Sequence, residues 1–292
     1  MIVLTEHKFC WGLDLPNCGY LKNYSIKVEQ NQLIISLSPE GYIDVCNLIE
    51  RAFPEAKCTM REDKTLFLEG QIIAISGSSF KQNELKQFLD SLRSCLTIDT
   101  SLDECHALSP RSLPPTEDGS EWKRTKMGEL VYRAKYRGNS TLASVIAVHI
   151  AKFIVAHPRY RRAEFVVAAP RSLASSTFDL PAEMVRRIAT TLGKSVAVAE
   201  KTRRTHPQKE LWKQGDIERL KANVKGSMVI RTSLVGGSVI LVDETMGSGA
   251  TLEELGRACR VAGAVEVLGI AAAKNAKFTF GIDLSEGPWH EH

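Results

Sequence analysis

Apolar positions between Tyr24 and about Leu96 follow two different periods. Gln32-Leu-Ile-Ile-Ser-Leu37, Thr65-Leu-Phe-Leu68 and Ile72-Ile-Ala-Ile-Ser76 are short β-branched or apolar runs that read as strands. Ile43, Cys46, Leu48, Ile49 and Phe53 fall at helical spacing after Ser38-Pro39, and Leu85, Phe88, Leu89, Leu92 and Leu96 do so after Ser79. Two amphipathic helices over a small sheet are predicted, giving an α+β module across residues 1–98. From Asp99 to Ser120, Ser, Pro and acidic residues replace any apolar period, which predicts a linker over 99–120.

Beyond it, over 121–292, the pattern becomes helix and strand in turn. A helix through the run Val145 to Val155 is followed by a buried strand at Phe165-Val-Val-Ala-Ala-Pro170. A helix through Met184, Ile188 and Leu192 comes next, stopped by Gly193. A strand over Ser195 to Glu200 leads into a long polar stretch. The chain closes with a strand at Ser238-Val-Ile-Leu-Val242, a helix over Leu252 to Val261 and a strand from Val265 to Ala272. Continuous apolar strands alternating with helices predict a parallel sheet covered on both faces, an α/β domain following a small α+β domain.

The chain has 292 residues, enough for two cores, with 43% hydrophobic and 25% charged residues and a net charge of +4. That balance excludes a globally basic nucleic-acid binder, so any anion-binding surface is local. Two basic runs qualify, His157-Pro-Arg-Tyr-Arg-Arg162 and Lys201-Thr-Arg-Arg-Thr-His206, each of which also reads as a solvated face. The start Met1-Ile-Val-Leu-Thr-Glu-His-Lys lacks the features of a secretory signal, and the apolar run at Val145 carries His149 and Lys152. A cytoplasmic protein without a membrane span is therefore expected. Seven cysteines without a Cys-x-x-Cys pair predict reduced core thiols rather than a zinc ribbon or a disulfide framework.

Candidate chemistry concentrates in Val239-Ile-Leu-Val-Asp243-Glu244-Thr-Met-Gly247-Ser248-Gly249-Ala250-Thr251, an acidic pair at a strand end followed by a glycine-rich turn that opens a helix. Ligands of open α/β sheets gather at the carboxyl ends of strands, and a helix N-terminus favours phosphate. Gly247 and Gly249 let the backbone approach it, Ser248 and Thr251 add hydroxyl donors, and the acids accept from ribose hydroxyls and stabilise positive charge at the anomeric carbon. A Walker A loop is excluded because Ile188 stands where Gly193-Lys194-Ser195 would need its first glycine. A dinucleotide fold lacks the third glycine, at Leu252, and the acid after the following strand.

This segment resembles the signature of type I phosphoribosyltransferases, and the order of Lys135-Tyr136-Arg137-Gly138, Pro207-Gln208 with Leu211, Arg219, Asn223 and then the signature is similar to their ComF-like branch. About half the chain is covered. The resemblance implies a phosphoribosyl-pyrophosphate (PRPP) loop from Asp243 through Thr245, Gly247, Ser248, Gly249 and Ala250 to Thr251, with Asp243 and Glu244 as catalytic acids. It implies Mg²⁺ near the two acids, held largely by substrate oxygens and water. It further implies a pyrophosphate turn with Arg171 and Ser172, a mobile loop over Lys201 to Gln208 in which Lys201, Arg203 and Arg204 neutralise pyrophosphate, and a homodimer. Glu244 stands where that branch has a second Asp, and Gly247 where threonine is common.

Three functions remain open on the sequence. One is an enzyme transferring phosphoribosyl from PRPP to an acceptor that the sequence does not identify. The others are a non-catalytic PRPP or nucleotide sensor acting on a protein partner, and a single-stranded-DNA-handling protein using Arg159, Arg161 and Arg162. Lys135 and Tyr136 read equally as a helix-flanking pair or as a substrate or partner contact. His206 reads as a loop residue, and Trp122 and Trp212 as packing residues.

Overall fold

The computed structural model describes residues 18–29, 32–41, 43–61, 71–76, 81–114, 121–170, 178–206, 211, 217–275 and 289. The chain opens with a long hairpin, β1 (Cys18–Glu29) and β2 (Gln32–Gly41). Helix α1 (Val45–Ala52) starts where Asp44 accepts a hydrogen bond from the Asn47 N–H, so the helix begins six residues after Pro39, which itself lies in β2. Next come β3 (Lys57–Arg61), β4 (Gln71–Ser76) and α2 (Gln82–Arg93). Leu96, placed on that second helix by its spacing, lies instead in β5 (Leu96–Ile98), because the helix ends at Ser94. The strand expected at Thr65 to Leu68 lies outside the described residues.

The stretch 99–120, expected to be a linker, contains β6 (Glu104–Ala107), buried at all four positions, and β7 (Ser112–Leu113). After β8 (Lys123–Arg124), helix α3 (Lys126–Arg137) is capped by the Thr125 hydroxyl on the Gly128 N–H and stopped by Gly138 at φ 58°. Helix α4 (Ser140–Ala156) begins earlier than its apolar run, because Asn139 caps it at the Leu142 N–H. Then follow α5 (Pro158–Arg162), β9 (Phe165–Ala168) and α6 (Leu180–Leu192), the last ended by Gly193 as expected. The single strand expected over Ser195 to Glu200 is two, β10 (Ser195–Ala197) and β11 (Ala199–Lys201). Val198 breaks it, because its backbone bonds to Thr232 and Arg231 and so turns the chain into another sheet. The remainder is α7 (Ile217–Val224), β12 (Met228–Ile230), β13 (Ser238–Met246), α8 (Ala250–Val261) and β14 (Glu266–Lys274).

One ten-stranded sheet runs β10-β9-β13-β14-β6-β5-β1-β2-β4-β3. From β10 to β6 all neighbours are parallel; from β6 onward all are antiparallel. Val131, Ile146, Ile150, Met184 and Ile188 of α3, α4 and α6 pack on Val166, Ile240, Val242, Leu268 and Ile270. On the other face Leu252, Leu255 and Cys259 of α8 pack on Val239, Leu241 and Val267. The parallel half is thus covered on both faces, as the sequence predicts, and α1 and α2 cover the antiparallel half. Among the described residues no helix is long and apolar enough to cross a membrane.

Candidate functional site

The parallel strands occur along the chain as β6, β9, β10, β13 and β14 but lie in the sheet as β10-β9-β13-β14-β6. From β9 the chain crosses outward through α6 to β10, then returns past β9 to β13 and continues the other way through α8 to β14. The winding direction reverses between β9 and β13, and such a switch point leaves a crevice at the carboxyl ends of the two strands. Val242 lies opposite Ala168, and the Ala169 N–H donates to the Val242 carbonyl at 2.9 Å. Asp243 and Glu244 on one strand and Ala169-Pro170 on the other therefore share the rim of this crevice.

Strand β13 outruns β9 and continues to Met246 against β14 alone. Asp243 and Glu244 are consecutive at this strand end, and their side chains lie close enough to interact directly with each other and with Lys135. Glu244 is buried and Asp243 is half-buried. The Asp243 Oδ1 accepts from the Glu244 N–H at 2.7 Å. Burial first, and the neighbouring Glu244 charge second, push the Asp243 carboxyl well above the ordinary carboxylate range. The Lys135 ammonium of α3 forms an ion pair with the Glu244 Oε1; the Lys135 side chain is 38% exposed and that of Glu244 11%. Burial works against the Lys135 charge, but Glu244 and then Asp243 outweigh it and raise its pKa. Tyr136, one position along, is exposed and stacks at 5.0 Å on Tyr132.

After Met246 the turn Gly247-Ser248-Gly249 enters α8. Gly249 has φ 87°, a left-handed conformation that a side chain resists, and it brings no capping side chain to the first helical turn. The nearest cap is the Ser248 hydroxyl, 3.5 Å from the Ala250 N–H. Thr245 pairs across to Ala273, and Thr251 lies in the first turn of the helix. Beneath the turn lies Lys274, fully buried, whose Nζ donates to the Gly247 carbonyl at 2.7 Å; burial lowers its pKa to about 8. No local pattern marks this lysine, which ends an alanine run in a core strand.

Next to the crevice, a cavity of about 530 Å³ opens between the ends of β9 and β10 and helix α6, lined among others by Pro170, Asp179, Arg186, Glu200 and Lys201. Lys201 bonds Thr205 at 3.0 Å, and burial lowers its pKa. Arg203 is not brought to this cavity: its guanidinium donates to the carbonyls of Asn223 and Lys225 at 3.1 and 2.9 Å. His206 is held as a loop residue through backbone bonds with Asn223 at both its N–H and its carbonyl. Arg204 is exposed, whereas Arg171, Ser172, Pro207, Gln208 and Trp212 lie outside the described residues. Trp122, expected to pack, is 40% exposed. A second cavity, of about 600 Å³, lies between α2, α3 and α4 and shares no lining residue with the crevice.

The basic run at residues 157–162 is split: Arg161 and Arg162 are exposed, whereas Arg159 is taken up inside the fold. Arg159 is 4% exposed and donates to Glu104 and, at 2.7 and 2.9 Å, to Glu266, while Arg162 reaches the Ala52 carbonyl at 3.3 Å. Glu104 also receives His106 at 2.8 Å and lies 2.7 Å from His157. Burial opposes its ionisation, yet His157 and His106 hold its pKa well below the ordinary value. These three side chains cluster closely enough to hold a metal ion, but the Arg159 guanidinium already occupies the other carboxylate oxygen, so the carboxylate has its counter-charge. The cysteines among the described residues are free thiols, as expected.

No protein-family model matches the chain, and no curated protein matches it. Solved structures do. Glutamine PRPP amidotransferase from B. subtilis, complexed with ADP and GMP, aligns over 82% of this chain and 48% of its own, at 13% identity and TM-score 0.34. A hypoxanthine phosphoribosyltransferase from Staphylococcus aureus aligns over 48% and 68%, at 10% identity and TM-score 0.32. Phosphoribosylpyrophosphate synthetase from Mycobacterium smegmatis aligns over 46% and 34%, at 16% identity and TM-score 0.28. The chain thus spans about a third of the synthetase and about half of the amidotransferase. At such scores these likenesses carry no weight for the site, whose reading rests on strand order and on the residues at the crevice.

Proposed function

We propose that the crevice binds PRPP and that the protein is a phosphoribosyltransferase-like enzyme related to the ComF-like branch, acting in the cytoplasm. The single observation that carries this reading is the acid pair Asp243-Glu244 and the turn Gly247 to Thr251 meeting at the switch point, with the α8 N-terminus behind them. The turn and the first α8 amides would hold the 5′-phosphate, with the Ser248 and Thr251 hydroxyls as further donors. Asp243 would take the ribose hydroxyls on the exposed side of the sheet rim. The 530 Å³ cavity, with Lys201 on its lining, would take the pyrophosphate, and the resemblance adds Arg171 and Ser172, which follow Pro170 in sequence. In the transfer the bond from the anomeric carbon to pyrophosphate breaks, pyrophosphate leaves with the electron pair, and the acceptor's lone pair forms the new bond; the carboxylates stabilise the cation between these events. The site lies in the part assigned to 121–292, with β6 added to its sheet, and no described residue of the module over 1–98 lines the cavity beside it.

A Mg²⁺ ion is what the resemblance implies. The chain's own donor set does not fit one: the Lys135 ammonium already pairs with Glu244 and stands close enough to Asp243 to act on its charge. No step above is routed through a metal.

The Lys135 hold on Glu244 and the missing hydroxyl at Gly247 favour one second reading, a PRPP or nucleotide sensor that binds without turnover. Pyrophosphate release from supplied PRPP, followed with a coupled assay, separates the two. Release that disappears in Asp243→Asn supports the enzyme; binding without release supports the sensor. The DNA-handling reading loses one of its three arginines, Arg159, to burial, while Arg161 and Arg162 are exposed.

A further inference from the structure

We infer that Lys135 is the resident cation of the acid pair, so that the protein's carboxylates bind no divalent metal at this site while the lysine is in place. The inference rests on the crevice reading above only for the identity of the ligand; the ion pair itself stands on geometry.

The geometry comes from two anchors between α3 and the segment that follows β6. Thr125 caps α3 and also donates to the Pro110 carbonyl at 2.7 Å, which ties the helix start to the segment that follows β6. Gly128 packs so tightly on the Arg111 carbonyl that any larger residue would overlap it, which fixes the height of the helix over the sheet. Seven residues on, at close to two helical turns, Lys135 projects from the same face toward the end of β13. Its stem lies along the protein and its ammonium meets the Glu244 Oε1, with Asp243 near enough to add to the attraction.

A divalent ion at the pair would need Glu244 as an anionic oxygen donor and would stand beside a fixed ammonium. Like charges held that close in a half-buried site repel, which opposes the weak attraction a carboxylate site offers a divalent ion. Lysine and metal are therefore mutually exclusive. The lysine also gives Glu244 a counter-charge before any ligand arrives, so the carboxylate is oriented without a metal.

The test uses Mn²⁺ as the probe, followed by the electron paramagnetic resonance signal of the free ion, in the full chain with and without Lys135→Met and Lys135→Gln. The expected result is that wild type and Glu244→Gln bind Mn²⁺ equally weakly. Both Lys135 variants should bind it roughly tenfold or more tightly, and adding Glu244→Gln to Lys135→Met should abolish the gain. Wild-type Mn²⁺ binding that Glu244→Gln removes would overturn the inference, as would Lys135 variants that keep the wild-type circular dichroism and thermal transition but gain no affinity. Two non-isosteric variants guard against a folding defect in either. Calorimetry with ribose 5-phosphate in EDTA is the separate arm for the ligand: no binding there sinks the phosphoribosyl reading and leaves the Mn²⁺ result to decide the role of Lys135.

Discussion

Lys135 and Glu244, 109 residues apart in sequence, form an ion pair that bridges a surface helix and the carboxyl end of a core strand. The pair is neither fully exposed nor fully buried, so its contribution to stability lies between the extremes for ion pairs. A double-mutant cycle of Lys135→Met and Glu244→Gln in urea unfolding is expected to give a coupling energy of about 1 kcal/mol. A value indistinguishable from zero would mean that the two groups do not meet in solution.

Lys274 makes a pH-specific prediction. Its folded pKa of about 8 lies below its ordinary 10.5, so folding expels a proton. The resulting penalty is complete below pH 8, shrinks between 8 and 10.5 and is absent above that. Relative to wild type, Lys274→Met should therefore be more stable at pH 7.5 than at pH 10 by denaturant unfolding. A stability difference independent of pH would contradict the burial of this amine. The same variant removes the donor from the Gly247 carbonyl and should weaken ligand binding at the turn about tenfold, read by calorimetry.

Acidification acts on the Glu104 cluster. Burial holds His157 below its ordinary 6.5, so as pH falls through 6.5 the unfolded chain takes a proton that the fold refuses. Glu104 contributes stability above its ordinary 4.5 that is lost as pH falls further, through its folded pKa. Both destabilise on acidification, His157 first. The melting temperature should drop between pH 7 and 5.5, and His157→Gln should flatten that drop; an unchanged slope in the variant would assign the acid sensitivity elsewhere.

Arg159 holds two acids and has little exposed surface. Arg159→Met strands the buried Glu104 carboxylate and should cost about 3–5 kcal/mol in unfolding free energy. It should leave any salt-dependent binding to single-stranded DNA unchanged; a selective loss of DNA binding with normal stability would restore the nucleic-acid reading.

The parallel sheet, its helices and the glycine turn at residues 247–249 were legible because each is written in local pattern, apolar runs for strands and glycine for the turn. Strand β6 was not, since Glu104 and His106 are polar residues buried by mutual pairing with Arg159 and His157, partners more than 50 residues away. A polar, proline-containing stretch therefore read as a linker while it carried a core strand. The same holds for the two lysines at the site. Lys135 stands out with Tyr136 as a candidate contact but without a partner, Lys274 follows three alanines, and the packing of helix and strands alone brings them to Glu244 and Gly247. The single strand expected over 195–200 failed for the opposite reason, since its pattern is continuous and its break at Val198 is set by hydrogen bonds to residues 231 and 232.

The most direct test of the central claim is calorimetric titration of PRPP into the wild type and into an Asp243→Asn, Glu244→Gln double variant, each first shown to melt cooperatively. Saturable binding to the wild type, weakened at least about tenfold in the variant, is the predicted result. No heat from the wild type, or equal affinity in both proteins, would contradict a phosphoribosyl site at this crevice.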